Sequence, residues 1–243
     1  MKNGGFGRAL VMSSDLKGYG GGNDKRHEAM QRGFIELHRA AAAEVGTDRG
    51  TWVIQPAGDG EIAILPQGEH EPVIVDRYVR TLHHGLTEHN KGLDPHERLR
   101  LRVALAFGTA YPSVNGYAGQ AVVEASRLVD WAPLKQLFNE KDEANIVLIL
   151  SARLFEDVVR QGHTSYQEFE FHRVLVSAKE FSGSAWVWAP ELDRKDMEHL
   201  LDLTEMDKRS QNITEGLFRQ AEVINNMNGP VDARGAVFGI SRK

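Results

Sequence analysis

The sequence predicts an α/β domain, an α+β sandwich in which strand-like and helical segments interleave. Two observations predict it. Apolar runs of strand length recur between segments with apolar residues at three- and four-residue spacing, and the segments follow one another as βαββαβαβαββ. The chain has 243 residues, 41% hydrophobic and 26% charged, with only 8 prolines. These values fit a globular domain with a sizeable core, plus an appendage, and exclude a disordered or fibrous chain. A net charge of −5 argues against nucleic acid as a partner, because such binding needs clustered Lys and Arg. No cysteine is present, which removes disulfides, thiolate zinc sites and cysteine nucleophiles together. The start, MKNGGFGRALVMSSD, holds an apolar run too short for a signal-peptide core or a membrane span. The expectation is a cytoplasmic protein with no membrane association.

The elements follow in order. Arg8 to Ser14 is an apolar run that suits a buried strand delivering Asp15 at its end, before the turn LKGYGGGN. From Asp24 to Val45, Met30, Phe34, Leu37, Ala41 and Val45 fall on one helical face. Thr51 to Gln55 and Glu61 to Leu65 read as a hairpin turning at Ala57 to Gly60, with Asp59 at its tip. Val73 to Asn90 is helical through Val75, Val79, Leu82 and Leu86, and Arg98 to Ala110 becomes a central strand. Gly119 to Phe138 reads as a helix, Asn145 to Leu150 as a strand, Ser151 to Gln161 as a helix and Glu168 to Trp188 as a closing hairpin. Beyond Ala189 the pattern weakens into charge- and amide-rich stretches. The expected division is therefore a domain over 1–189 and a polar C-terminal extension over 190–243. The late run AVFGI suits an added edge strand, a site of strand addition for a downstream partner or a frayed end, with packing on its own domain or fraying ranked above recruitment.

Two acids occupy equivalent contexts, Asp15 at a strand end before a Gly-rich turn and Asp59 between Gly58 and Gly60. Two convergent carboxylates suit Mg²⁺ or Mn²⁺, whose shells triphosphate oxygens complete. The segment holding Gly18 and Tyr19 offers backbone N–H groups and a following helix start to phosphates. Taken singly, each acid equally suits a turn: a strand-end Asp, or a Gly-Asp-Gly tip chosen for positive φ.

Four segments in order raise the joint pattern above that. Along residues 8 to 189, SSDLKGYG, QPAGDGEIAIL, LRVALAFG and GQAVVEASRL resemble the motifs of the class III adenylyl and guanylyl cyclase catalytic domains. The acids stand 44 residues apart, room for the helix and strand that this family places between them. The resemblance implies a ferredoxin-like fold with a central, mostly antiparallel sheet flanked by helices. It implies that Asp15 and Asp59 hold two metal ions, that Arg102 reaches terminal phosphates, and that Arg127 stabilises charge on the α-phosphate. Lys179 matches a phosphate-contacting lysine of the closing hairpin. The site lies between two head-to-tail subunits in this family, so the resemblance also implies a homodimer with two equivalent sites.

Departures narrow the reading. Where the family has a catalytic Asn this chain has Val123, which cannot orient a ribose. Gln55 stands where adenylyl cyclases have a base-reading Lys, and the companion acid falls on Gly116, beside Asn115. Gln offers a donor and an acceptor, so UTP or CTP is favoured over ATP as the nucleoside triphosphate substrate. A compact cyclase domain lacking the adenine-reading pair resembles the Pycsar pyrimidine cyclases of bacterial antiphage signalling. The rival function is a silent cyclase-homology module that senses a nucleotide or binds a partner. A diguanylate cyclase ranks last, since no Gly-Gly-Asp-Glu-Phe segment appears.

Other features read as structural. His83, His84, His89 and His96 show no ligand pairing and are expected to be solvated. Trp186 and Trp188 alternate on a strand and are expected to pack. GYGGGND lacks the Gly-Lys-Ser/Thr of a Walker loop.

Overall fold

A computed structural model describes residues 7–193 and 195–199. The C-terminal extension beyond 199, including AVFGI, lies outside the described residues.

Strand β1 (Arg8–Leu16) leads to helix α1 (Asp24–Val45) and the hairpin β2 (Val53–Ala57) and β3 (Gly60–Ile64). A short helix α2 (Glu71–Val73) runs through a wide π turn (Ile74–Tyr78) into α3 (Val79–His89), and β4 (Leu101–Thr109) follows. A small hairpin, β5 (Tyr111–Ser113) and β6 (Gly116–Ala118), precedes α4 (Gln120–Val129) and α5 (Ala132–Glu140). The rest is β7 (Ile146–Ser151), α6 (Ala152–Leu154) with a π turn over Phe155–Val159, and the hairpin β8 (His172–Ala178) and β9 (Phe181–Trp188).

Seven strands form one sheet in the order β2-β3-β1-β4-β7-β9-β8. The first four are antiparallel throughout, the ferredoxin-like arrangement that the resemblance implies. β4 and β7 are the one parallel pair among the described residues, because the chain crosses back over the sheet through α4 and α5.

Alternation in β1 sorts its side chains between two layers: Leu10, Met12 and Leu16 join the core beneath α1 and α3, and Ala9 and Val11 join the one beneath α4. β7 (IVLILS) is buried along its whole length, as a central strand covered on both faces must be. Asn23 caps α1 by accepting a hydrogen bond from the Arg26 N–H at 3.1 Å, and Gly46 ends the helix in the left-handed region at φ 76°. Trp186 stacks on Phe155 at 3.8 Å and Trp188 meets Tyr166 edge-on, so both tryptophans pack.

The structure differs from the sequence reading in four places. Asp15 lies within β1, not after it, because pairing with β4 continues to Leu16. The helix expected over 119–138 breaks after Val129, where Pro133 enters the first turn of α5. The β5–β6 hairpin was not anticipated, although Asn115-Gly116 at its turn is a hairpin signal. Packing also continues past Ala189, since Leu192 and Met197 join the core beneath α4 and α5.

A buried polar cluster ties α1 to the sheet. His38 is fully buried, with Nε2 3.3 Å from Ser14 Oγ and Nδ1 2.7 Å from the Tyr78 hydroxyl. Burial, helped by the Arg49 charge, pushes His38 well below its ordinary value of 6.5. The unfolded chain therefore binds a proton at His38 more tightly than the folded one. Stability is full above pH 6.5 and is expected to fall below it by up to about 1.4 kcal/mol per pH unit. A series of thermal melts from pH 7.5 to 5 checks this, and His38→Gln should flatten the acid-side slope.

Candidate active site

Asp15 and Asp59, distant in sequence, are neighbours in the sheet. Asp15 pairs in register with Gly60 of β3, and the Leu16 N–H donates to the Asp59 carbonyl at 3.2 Å. The hairpin closes with two residues, Gly58 and Asp59, and Gly58 takes the positive φ of 67° that this tight turn needs. Gly60 permits the close approach of β3 to β1. A Cβ there would lie 2.1 Å from the Ser14 carbonyl oxygen and 2.7 Å from Asp15 Cα.

Arg102, directly opposite Asp15 in β4, clamps its carboxylate with two bonds, Nε to Oδ1 at 2.9 Å and Nη2 to Oδ2 at 2.6 Å. The arginine side chain is 8% exposed and that of Asp15 17%. Even so, Asp15 is pushed above the usual carboxylate value. Burial is the chief cause, Arg102 opposes it, and the nearby Asp59 charge adds to it. The two carboxylates share this corner with the Arg102 guanidinium, and the Lys135 charge also acts on Asp15. Among the described residues the Asp59 carboxylate makes no hydrogen bond or ion pair. Hard oxygen donors on two adjoining segments fit Mg²⁺ or Mn²⁺. Such an ion would compete with Arg102 for Asp15.

The loop after β1 is closed by Arg26, whose guanidinium donates to the carbonyls of Gly18, Gly21 and His96. Gly18 adopts φ 76°, and the Tyr19 ring stacks on His27 at 4.6 Å. The loop so braced stands between Asp15 and the N-terminus of α1.

Val123 and Arg127 lie one turn apart on α4, and Val123 is 41% exposed. Arg127 donates from Nη2 to Glu180 Oε1 at 2.6 Å and from Nε to the same oxygen at 3.2 Å. Glu180 sits in the β8–β9 turn beside Lys179, which takes φ 55° there. Hydrogen bonding to Arg127 holds Glu180 below the usual carboxylate value. Arg127 and Lys179 are thereby gathered at one place.

Gln55 on β2 reaches the β5–β6 hairpin. A Cβ on Gly116 would lie 2.4 Å from Gln55 Nε2, and Gly116 has φ 92°. The two positions matched to base reading therefore touch within one chain. Sequence reasoning missed Gly60, Arg26, His38 and the buried pair in which Arg49 Nη2 donates to both oxygens of Glu61 at 2.6 Å. Only the glycine had a local signal, in Gly58-Asp59-Gly60. The others depend on partners remote in sequence. Among the described residues, the sole group of three side chains able to share a metal is Asp94, His96 and Glu97, all exposed.

No family model and no curated protein matches the chain. Solved structures do. An adenylate/guanylate cyclase/hydrolase from Silicibacter pomeroyi matches 77% of this chain and 99% of its own at 18% identity, with a TM-score of 0.58. A bacterial light-regulated adenylyl cyclase matches 84% of this chain and 58% of its own at 12% identity, with a TM-score of 0.54. The guanylyl cyclase Cya2 matches 76% and 92% at 15% identity, with a TM-score of 0.50.

The chain has the fold of the class III cyclase catalytic domains. At these identities the likeness concerns the fold, and the chemistry has to be argued from the residues. On this cyclase-like fold, Asp15 and Asp59 occupy adjoining sheet positions and Arg127 stands with Lys179 at the β8–β9 turn. No helix among the described residues is long and apolar enough to cross a membrane.

Proposed function

We propose that the protein is a metal-dependent nucleotidyl cyclase, converting a nucleoside triphosphate to a 3′,5′-cyclic monophosphate and pyrophosphate. The observation that carries this reading is the register that sets Asp15 beside the Asp59 turn on a cyclase fold. Asp15 and Asp59 would hold two Mg²⁺ or Mn²⁺ ions, which when bound supply positive charge to the triphosphate and lower the proton affinity of the attacking hydroxyl. In the reaction the ribose 3′-oxygen bonds to the α-phosphorus and loses its proton to water. The bond from that phosphorus to the bridging oxygen breaks, and pyrophosphate leaves.

The chain's own residues bind and orient. Arg127, freed from Glu180, offers a planar fork to α-phosphate oxygens, while Lys179 and the N–H groups around Gly18 and Tyr19 meet the outer phosphates. Arg102 reaches terminal phosphates once it lets go of Asp15. The site is completed by a second copy, in a homodimer whose acids and Arg127 come from different chains. Gln55, lying against a glycine where an acid would read adenine, supports UTP or CTP as substrate. A pyrimidine cyclic nucleotide suits a second messenger of antiphage signalling in the cytoplasm, of the Pycsar kind. A downstream partner could dock on the C-terminal tail.

One observation favours a second reading. Val123 presents an exposed apolar side chain one turn before Arg127, where the family resemblance calls for an amide. A catalytically silent nucleotide-sensing or partner-binding module would tolerate this. Incubating the protein with each of the four ribonucleoside triphosphates and Mn²⁺, and resolving products by mass, separates the two. Cyclic UMP or cyclic CMP is expected, and no cyclic product from any triphosphate would leave the silent module standing. Arg127→Ala is expected to lower kcat about 100-fold. The same change should leave the melting temperature nearly unchanged, because its ion pair with Glu180 is exposed.

A further inference from the structure

Between α1 and the β2–β3 hairpin lies an open cavity of about 730 Å³, within the range that small-molecule sites occupy. Its walls are chiefly apolar, from Phe34, Ile35, Ala42, Trp52, Ile54 and Pro56. Ile35 and Ile54 are 40% and 36% exposed, high for large aliphatic side chains.

The polar groups of the cavity are unevenly spent. Asp48 accepts from the Gly50 N–H at 2.9 Å, and Glu61 is bonded twice by Arg49. Asp59 stands at the hairpin end. Arg39, on the α1 wall, makes no ion pair or hydrogen bond among the described residues. Arg49 also lines the cavity; its side chain is only 10% exposed, and its Nη1 has no acceptor. Thr47 Oγ1, also of a lining residue, is likewise buried without a partner. Buried donors are ordinarily satisfied, so these two mark a place short of acceptors.

We propose that this cavity binds a small organic monoanion, a carboxylate-type acid with an apolar ring or chain. The apolar body lies along Phe34, Trp52 and Ile54, and the acid head pairs with Arg39 on the side where Arg49 and Thr47 lack acceptors. The buried donors of Arg49 and Thr47 that lack acceptors, beside the exposed Arg39 charge, select for this class: a neutral apolar molecule supplies them no acceptor, and a polar anion forgoes the walls. Binding here needs no turnover, so the site stands or falls apart from the cyclase reading.

The test is a fluorescence titration of the full chain with 8-anilino-1-naphthalenesulfonate, an aromatic anion, against N-phenyl-1-naphthylamine, its uncharged counterpart. One anionic probe should bind per chain, about tenfold more tightly than the neutral one, and decanoate should displace it. Arg39→Glu should erase that tenfold advantage while neutral-probe binding persists, which also reports that the variant is folded. Ala43→Trp, which fills the cavity from α1, should remove both. Equal affinity of the two probes for the unsubstituted chain, or undiminished binding to Ala43→Trp, overturns the proposal. So does loss of the anionic probe as rising protein concentration drives dimerisation, which would make the cavity a surface between copies.

Discussion

Asp59→Ala is expected to abolish cyclic nucleotide formation, by about 1000-fold or more, while leaving the melting temperature within about 2 °C of the unsubstituted chain. The two effects separate because the Asp59 carboxylate holds no partner among the described residues, whereas its backbone carbonyl, which bonds Leu16, survives the change. Asp15→Ala should be just as inactive but far less stable. Removing that carboxylate strands the buried Arg102 guanidinium, a loss of about 3 kcal/mol or more, or roughly 6–12 °C in a domain of this size. Pairing Asp15→Ala with Arg102→Met should recover most of the melting temperature and none of the activity. Product analysis by mass and differential scanning calorimetry on the same samples give both readouts. Turnover retained in either single variant would refute the assignment of metal ligands.

The second large effect is steric. Gly60→Ala places a methyl group 2.1 Å from the Ser14 carbonyl oxygen, an overlap that neither backbone can relieve without parting β1 from β3. A loss of about 3 kcal/mol or more is expected, at the upper end for overpacking. Activity should fall with it even where the variant remains folded at low temperature, because the register that sets Asp15 beside Asp59 is what the methyl group disturbs. A denaturant melt and a cold activity assay check this. Gly58→Ala is the useful comparison, since nothing lies within 4 Å of its added Cβ and only the positive φ opposes it, by about 1 kcal/mol.

Much of the fold was legible because it rests on period. The apolar run of β1, the three- and four-residue spacing of α1 and the nearly all-apolar β7 each announce their element. The ferredoxin-like order followed from the family resemblance. The placement of Asp59 in a hairpin turn and of Arg127 on a helix was legible in the same way, while Asp15 lies inside β1 and not after it. What each side chain touches was not. That Arg102 spends its guanidinium on Asp15, or that Arg127 is held by Glu180, depends on strand register and on a turn 53 residues away. The division of the helix at Val129 had a visible cause in Pro133, and the β5–β6 turn had one in Asn115-Gly116. The first was outweighed by a longer helical apolar pattern, and the second lay in a stretch to which no element was assigned. The buried Ser14, His38 and Tyr78 cluster had none, since each is unremarkable until α1 is laid against the sheet.

Gly116 has a consequence for how base preference can change. Its left-handed backbone, at φ 92°, strains any residue that carries a Cβ, and the end of the Gln55 side chain would have to move aside to admit one. Under the proposed cyclase reading, swapping Gln55 for lysine alone would install one half of an adenine-reading pair opposite a backbone that disfavours the other. On the cyclase reading proposed above, base preference would be set in part by the main chain of a hairpin, and an exchange at position 116 would carry a backbone cost that an exchange at position 55 does not.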